Sequence, residues 1–388
     1  MNRRFVTRVI VVLAATLLLA AAAVAGPSTR TAKGRSRTVK KATVTRSKAR
    51  RHRRVVRRHR RSYERFYTSS YDTDPGAGDV TTGEDPVVRA AALEALGNMN
   101  GTVVAIDPSN GRILAMVNQR VALSAGAEPC STIKVPVTLA ALSEHLIDKD
   151  TPITLGRRWK LNLTHALAVS NNNYFETVGR MLGWQRYSHY AHEFGLGELA
   201  GYNIPGEHLG EFPTEAIPAS RGGVGRMCSF GEGISMTPLQ LGALMGAIAN
   251  GGTLYYLQHP TTPQEIASFH PIVKRELDIA PIIPEITAGM AAAVQYGTAR
   301  TVHYNFTEEE VMGKTGTCSN DGTRFGWFAS FANTQAGRIV VVVFLRGGRP
   351  TYGPKAAEIA GRMYRDLYDH NYFEARTDQE DRGQGASQ

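Results

Sequence analysis

Cysteine is scarce in this 388-residue chain: Cys130, Cys228 and Cys318 are too few for a disulfide scaffold, and no two stand at metal-ligand spacing. The eleven histidines form no H-x-x-x-H pair with a glutamate between them. No metal and no cofactor is expected. Acidic residues are missing from the first 61 positions, which hold 19 Lys/Arg and no Asp/Glu. Taking these from the totals of 45 basic and 34 acidic residues leaves residues 62–388 with 26 against 34, a net charge of −8. The overall +11 is therefore a property of the N-terminal tail, and the body of the chain is acidic. A nucleic-acid partner would need a basic footprint on the folded part, so none is expected.

Long apolar runs are equally few. Val9 to Gly26, interrupted by Thr16, follows Arg3, Arg4 and Arg8 and reads as an export signal over residues 1–26, either a signal peptide or a signal anchor. Ala23-Val24-Ala25 fits cleavage, whereas an uncleaved anchor would set the 16 Lys/Arg of Arg30 to Arg61 just outside the membrane, against the positive-inside rule. The expected location is periplasmic or cell-surface. Residues 27–61 are too charged to bury a core and are expected to form a disordered basic arm. That arm is either a tether to an anionic membrane or wall polymer, or a solvated spacer. Ser62 to Asp85, with Asp74-Pro75-Gly76 and Thr82-Gly83-Glu84-Asp85-Pro86, reads as further linker, which puts the folded domain at 86–372. Residues 373–388 read as a polar, disordered tail.

What the body does contain is Ser131-Thr132-Ile133-Lys134, opening an apolar helical pattern from Val135 to Leu146. Positions i and i+3 share a helix face. A serine hydroxyl needs an adjacent base to become a nucleophile, and a lysine can serve if desolvation holds it neutral. A helix N-terminus also favours developing negative charge. Alone, this spacing is a weak signal. Two partners follow it: Ser170-Asn171-Asn172, in a turn between the periodic segments Leu161 to Val169 and Tyr174 to Leu182, and Lys314-Thr315-Gly316-Thr317. S-x-x-K, S-x-N and K-T-G in that order are the signature of serine penicillin-recognising enzymes.

The resemblance extends past the three motifs. Thr102 to Met116, TVVAIDPSNGRILAM, looks like the first hairpin of penicillin-binding protein transpeptidase domains, and Gly231-Glu232-Gly233 with Thr237-Pro238-Leu239-Gln240 and Ala249-Asn250-Gly251-Gly252 looks like that family's G-x-G, TPLQ and ANGG stretch. The similarity covers about residues 86–370. It implies an α/β (α+β) fold with an antiparallel five-stranded sheet covered by helices and an inserted all-helical lobe. It also implies a D,D-transpeptidase or D,D-carboxypeptidase that acts on D-Ala-D-Ala stem peptides of peptidoglycan and is acylated by β-lactams.

In a family-like site Ser131 is the nucleophile and Lys134 its base, Ser170 relays a proton to the leaving amine, and Asn172 orients Lys134. Lys314 supplies a second positive charge, and Thr315 and Thr317 bind the substrate carboxylate. The N–H groups of Ser131 and Thr317 form the oxyanion hole, and Gly316 lets the backbone approach the substrate. A Cys130–Cys318 disulfide is implied by a similarity to carbapenem-hydrolysing class A β-lactamases, with Cys228 left free. Two other functions share these motifs: a serine β-lactamase, although the E-x-x-L-N element of class A enzymes is absent, and an acylated sensor. The stretch before residue 86 is too short for a glycosyltransferase domain or a long pedestal.

Local patterns agree with that order of elements. Pro86 to Leu96 reads as an opening helix, Thr102–Ile106 and Arg112–Val117 as a hairpin turning at Asn110-Gly111, and Pro136 as a kink in the nucleophile helix. Helical patterns dominate from Thr151 to Asn250, and residues 253–283 have no clear period. Pro284 to Tyr296 reads as a helix, Ile339 to Leu345 as a fully buried strand and Pro354 to Tyr368 as a closing amphipathic helix.

Overall fold

The computed structural model describes residues 64–156, 159–334 and 337–373. The expectations for the export segment, the basic arm and the tail after Phe373 lie outside the described residues. Phe373 itself is buried and belongs to the core.

Helix α1 (Pro86–Leu96) starts where Asp85 accepts hydrogen bonds from the N–H groups of Val87 and Val88, with proline at the first helical position. Strands β1 (Gly101–Ile106) and β2 (Ile113–Val117) form the hairpin, and Gly111 adopts φ 77° in its turn. A 3-10 turn over Cys130–Ile133 leads into α2 (Lys134–Ser143). Then come α3 (Leu163–Ala168), α4 (Asn172–Glu193), α5 (Gly223–Phe230), α6 (Pro238–Asn250) and α7 (Ile283–Gln295). The chain returns through β3 (Glu310–Asn320), β4 (Thr323–Thr334) and β5 (Gly337–Gly347) and closes with α8 (Gly353–Asp369).

The sheet order is β2-β1-β5-β4-β3, antiparallel throughout, which leaves β3 at an edge. On β5, Val340, Val342 and Phe344 face the core that includes α2 and α6, while Ile339, Val341, Val343 and Leu345 face a second core under α1 and α8. Helices on both faces account for the unbroken apolar run in this strand.

Four local expectations change. The lobe over residues 151–250 is not all helical, since Ile153–Thr154 pairs with Lys160–Leu161, and just beyond it Thr253–Tyr255 pairs with Val273–Glu276. The aperiodic stretch 253–283 supplies the second of these pairs and a short helix, Pro263–Ala267, closed by a Thr262/Glu265 capping box. Pro136 falls in the first turn of α2, and in place of a kink the backbone changes from 3-10 to α at Lys134. Residues 64–85 are not linker. Tyr71 bridges to Met99, Gly348 N donates to the buried Ser70 Oγ at 2.8 Å, and Arg89 holds Asp79 at 2.7 Å and Glu84 at 3.3 Å. Asp79 also accepts from the backbone N–H groups of Asn118 and Gln119, so this strap is fastened to the end of β2 and the residues that follow it.

Candidate active site

The segment ahead of Ser131 is set by packing. Trp327 Nε1 donates to the Glu128 carbonyl at 3.0 Å, and a Cβ on Gly231 would come within 2.5 Å of Pro129. Cys130 takes φ 52°, a left-handed conformation uncommon for a side-chain-bearing residue, and turns the chain into the 3-10 turn that presents Ser131. Ser131 thus precedes the α-helix instead of opening it. Cys130 is disulfide-bonded to Cys318 on β3, with Cα atoms 5.5 Å apart, and Cys228 is a free, buried thiol.

The three motifs converge in pairs. Lys134 Nζ lies 2.6 Å from Ser131 Oγ and donates to Asn172 Oδ1 at 3.0 Å and to the Ser229 carbonyl at 2.6 Å. Lys314 Nζ donates to Ser170 Oγ at 2.8 Å and to the Thr315 carbonyl at 2.8 Å. Asn172 opens α4 behind Asn171, whose side chain caps the helix by accepting from Tyr174 N, and Ser170 sits just before them at φ 56°. Both lysines are 0% exposed. Burial, followed by the charge of Lys314, holds Lys134 well below the usual lysine range, while Glu176 acts in the opposite direction. Burial brings Lys314 down to about 7.

A neutral lysine amine has two N–H groups and one lone pair. The Asn172 and Ser229 oxygens occupy the two N–H groups, which leaves the lone pair for the Ser131 hydroxyl. Ser229 contributes through its main chain alone, so no residue type marked it in the sequence. The rings of Phe175 and Phe230, centred 5.6 and 5.9 Å from Lys134 Nζ, complete the dry surroundings of the amine.

Two residues of the K-T-G-T run make packing contacts that their residue types did not signal. Thr315 is 4% exposed and its hydroxyl donates to Thr298 Oγ1 at 2.6 Å, inside the fold. Thr317 is exposed, its Oγ1 accepting from Gly353 N at 2.7 Å, which makes it the threonine open to a ligand. A Cβ on Gly316 would stand 2.9 Å from the Pro129 carbonyl and 3.2 Å from Thr132 and Trp327. Glycine here lets β3 lie against the turn that carries Ser131, a packing role beside the one the resemblance implies. Among the described residues, no group of three or more His, Cys, Asp or Glu is placed to hold a metal ion, and no helix is long and apolar enough to cross a membrane.

Over residues 101–367 the chain matches the family described as the penicillin binding protein transpeptidase domain. It is 29% identical over 317 residues to Stage V sporulation protein D of Bacillus subtilis, covering 68% of this chain and 48% of that one. It is 24% identical over 373 residues to the peptidoglycan D,D-transpeptidase MrdA of Acinetobacter baumannii, covering 75% and 54%. The chain thus spans about half the length of these relatives. Its fold is similar to that of a peptidoglycan glycosyltransferase from Burkholderia ambifaria, with a TM-score of 0.62 at 20% identity over 75% of this chain and 98% of the other. With the family match spanning well over half of its length, and with the sheet and helices expected of that fold, the chain belongs to the penicillin-binding protein transpeptidase domain family.

Proposed function

We propose that this chain is an exported D,D-acyltransferase of peptidoglycan that works through an acyl-enzyme on Ser131 and is acylated by β-lactams at the same atom. The observation that carries this reading is the buried Lys134 amine 2.6 Å from Ser131 Oγ, with both of its N–H groups held by other acceptors. Neutral Lys134 takes the Ser131 proton as Oγ attacks the carbonyl of the terminal D-Ala-D-Ala bond. The N–H groups of Ser131 and Thr317 receive the oxyanion, an interaction worth about 3 kcal/mol for one donor. Because Lys314 donates to Ser170 Oγ, the Ser170 O–H is free to donate to the leaving nitrogen; Ser170 is reprotonated at the expense of the proton that Lys134 took from Ser131, and D-alanine departs. Thr317, with the positive charge of Lys314, binds the terminal carboxylate. An amine then resolves the ester in transpeptidation and water does so in carboxypeptidation. Residues 27–61, with their excess of basic side chains, suit contact with an anionic membrane or wall polymer outside the cytoplasm.

A fluorescent penicillin tests the assignment. The purified protein should be labelled covalently, and Ser131→Ala should remain folded without label. Persistent labelling of that variant would mean another nucleophile. Incubation with a stem pentapeptide and an amine acceptor, with products weighed by mass spectrometry, separates transfer from hydrolysis.

A further inference from the structure

One half-buried carboxylate stands three residues before the nucleophile in the chain and has no role in the steps above. Glu128 precedes Ser131 by three residues in a segment that Trp327 and Gly231 hold in place. Its surroundings connect it to the site. The guanidinium of Arg226 lies 4.0 Å from the centre of the Phe230 ring, and Lys134 Nζ is 5.9 Å from the same centre.

Arg226 Nε and Arg221 Nη2 both donate to Glu232, each at 2.8 Å, so both arginines already have a carboxylate. Among the described residues, the Glu128 carboxylate has no hydrogen bond or ion pair partner, its one strong contact, from Trp327 Nε1, being to the main-chain carbonyl. Burial, then the charge of Glu232, push its carboxyl up, with Arg226 pulling the other way. A carboxylate left half-buried beside a like charge is relieved by a cationic ligand group.

The reaction proposed above brings such a group to this place, because an amine acceptor arrives as an ammonium ion. Resting on that reading, we infer that Glu128 receives the ammonium group of the acceptor peptide, binding it beside the acyl-enzyme and taking its first proton. Loss of that proton to Glu128 leaves a neutral amine whose lone pair attacks the ester carbonyl. The C–N bond forms and the bond to Ser131 Oγ breaks. The second nitrogen proton passes through Lys134 to Oγ, and Glu128 returns its proton to solvent.

The test is the partition of the acyl-enzyme. The full chain is given a pentapeptide donor ending in D-Ala-D-Ala together with a peptide bearing a free side-chain amine, and the ratio of cross-linked to hydrolysed product is measured. Glu128→Gln should lower that ratio on the order of tenfold to a hundredfold, and Glu128→Asp should recover part of it. Capture by hydroxylamine, which is uncharged at neutral pH, should keep its ratio to hydrolysis in Glu128→Gln. An unchanged ratio for the cationic acceptor, or an equal fall for hydroxylamine, overturns the inference. So does a wild-type protein that yields only hydrolysed peptide. If the wild type yields neither product and takes no fluorescent penicillin, the acyl-transfer reading fails first and the inference falls with it.

Discussion

At the scale of single residues, the site depends on how an amine is kept unprotonated. Lys134 is lowered first by burial and then by the charge of Lys314, so two lysines enclosed near one another do what neither would do in water. Lys314 itself titrates at about 7, and it therefore contributes a full charge only below neutrality. The sign of a test follows. With Lys134 as the proposed base, acylation needs that amine neutral, so the rate is expected to fall as pH drops through the pKa of the group. Lys314→Met removes a charge that lowers this pKa, so the acid limb of penicillin acylation should move to higher pH, whatever happens to the maximum rate. Stopped-flow acylation across pH would reveal it, and an unmoved limb would assign the neutrality of Lys134 to burial alone. The S-x-x-K spacing pointed to this pair, because i and i+3 meet on one face. It could not point to Ser229, whose contribution is a carbonyl, nor to Thr315, whose inward direction follows from its packing on Thr298.

Among the elements, the decisive junction is the 3-10 turn against β3. Gly316 lets the strand approach, Trp327 holds the Glu128 carbonyl, and the disulfide joins Cys130 to Cys318 across a sequence separation of 188. Cys130 adopts φ 52°, and a residue with a Cβ is about 1–2 kcal/mol worse there than glycine. The two terms can be separated by mutation. Cys318→Ser should cost roughly 2–4 kcal/mol by releasing the cross-link. Adding Cys130→Gly to it should return about 1 kcal/mol by removing the unfavourable φ. Chemical denaturation of the two variants measures the difference, and a double variant less stable than Cys318→Ser would show that Cys130 is not strained in the turn. Strong patterns such as the β5 run and α8 were legible because burial on two faces, or on one helical stripe, leaves a period in the sequence. The pair Ile153–Thr154 with Lys160–Leu161 was not legible, since two-residue strands carry no period, although the Thr262/Glu265 capping box inside the aperiodic stretch did carry a readable signature.

For the whole molecule, the largest departure from the sequence reading is the strap over residues 64–85. Its Pro, Gly, Asp and Thr content is that of a linker, yet its acidic residues are fastened by partners far along the chain. Asp79 and Glu84, with side chains 3% and 1% exposed, are joined by Arg89 on α1, and Glu84 Oε1 also lies 3.1 Å from His259 Nε2 and accepts from Met116 N. Composition describes what a segment could do alone, whereas these contacts depend on residues the strap meets only after folding. The strap is therefore a working part of the folded domain, and it has a measurable consequence. Arg89→Met would leave two buried carboxylates without their shared cation, a change expected to cost roughly 3–5 kcal/mol. Combining it with Asp79→Asn and Glu84→Gln removes the stranded charges and should restore part of that loss, since an amide oxygen at position 84 can still accept from Met116 N, whereas one at position 79 can keep only one of the two bonds from Asn118 N and Gln119 N, which fall on separate carboxylate oxygens. Urea unfolding of the three proteins distinguishes the cases. A linker that merely lies on the surface would give Arg89→Met a midpoint close to wild type, whereas a strap integral to the fold gives a large fall in the single variant and a recovery in the triple.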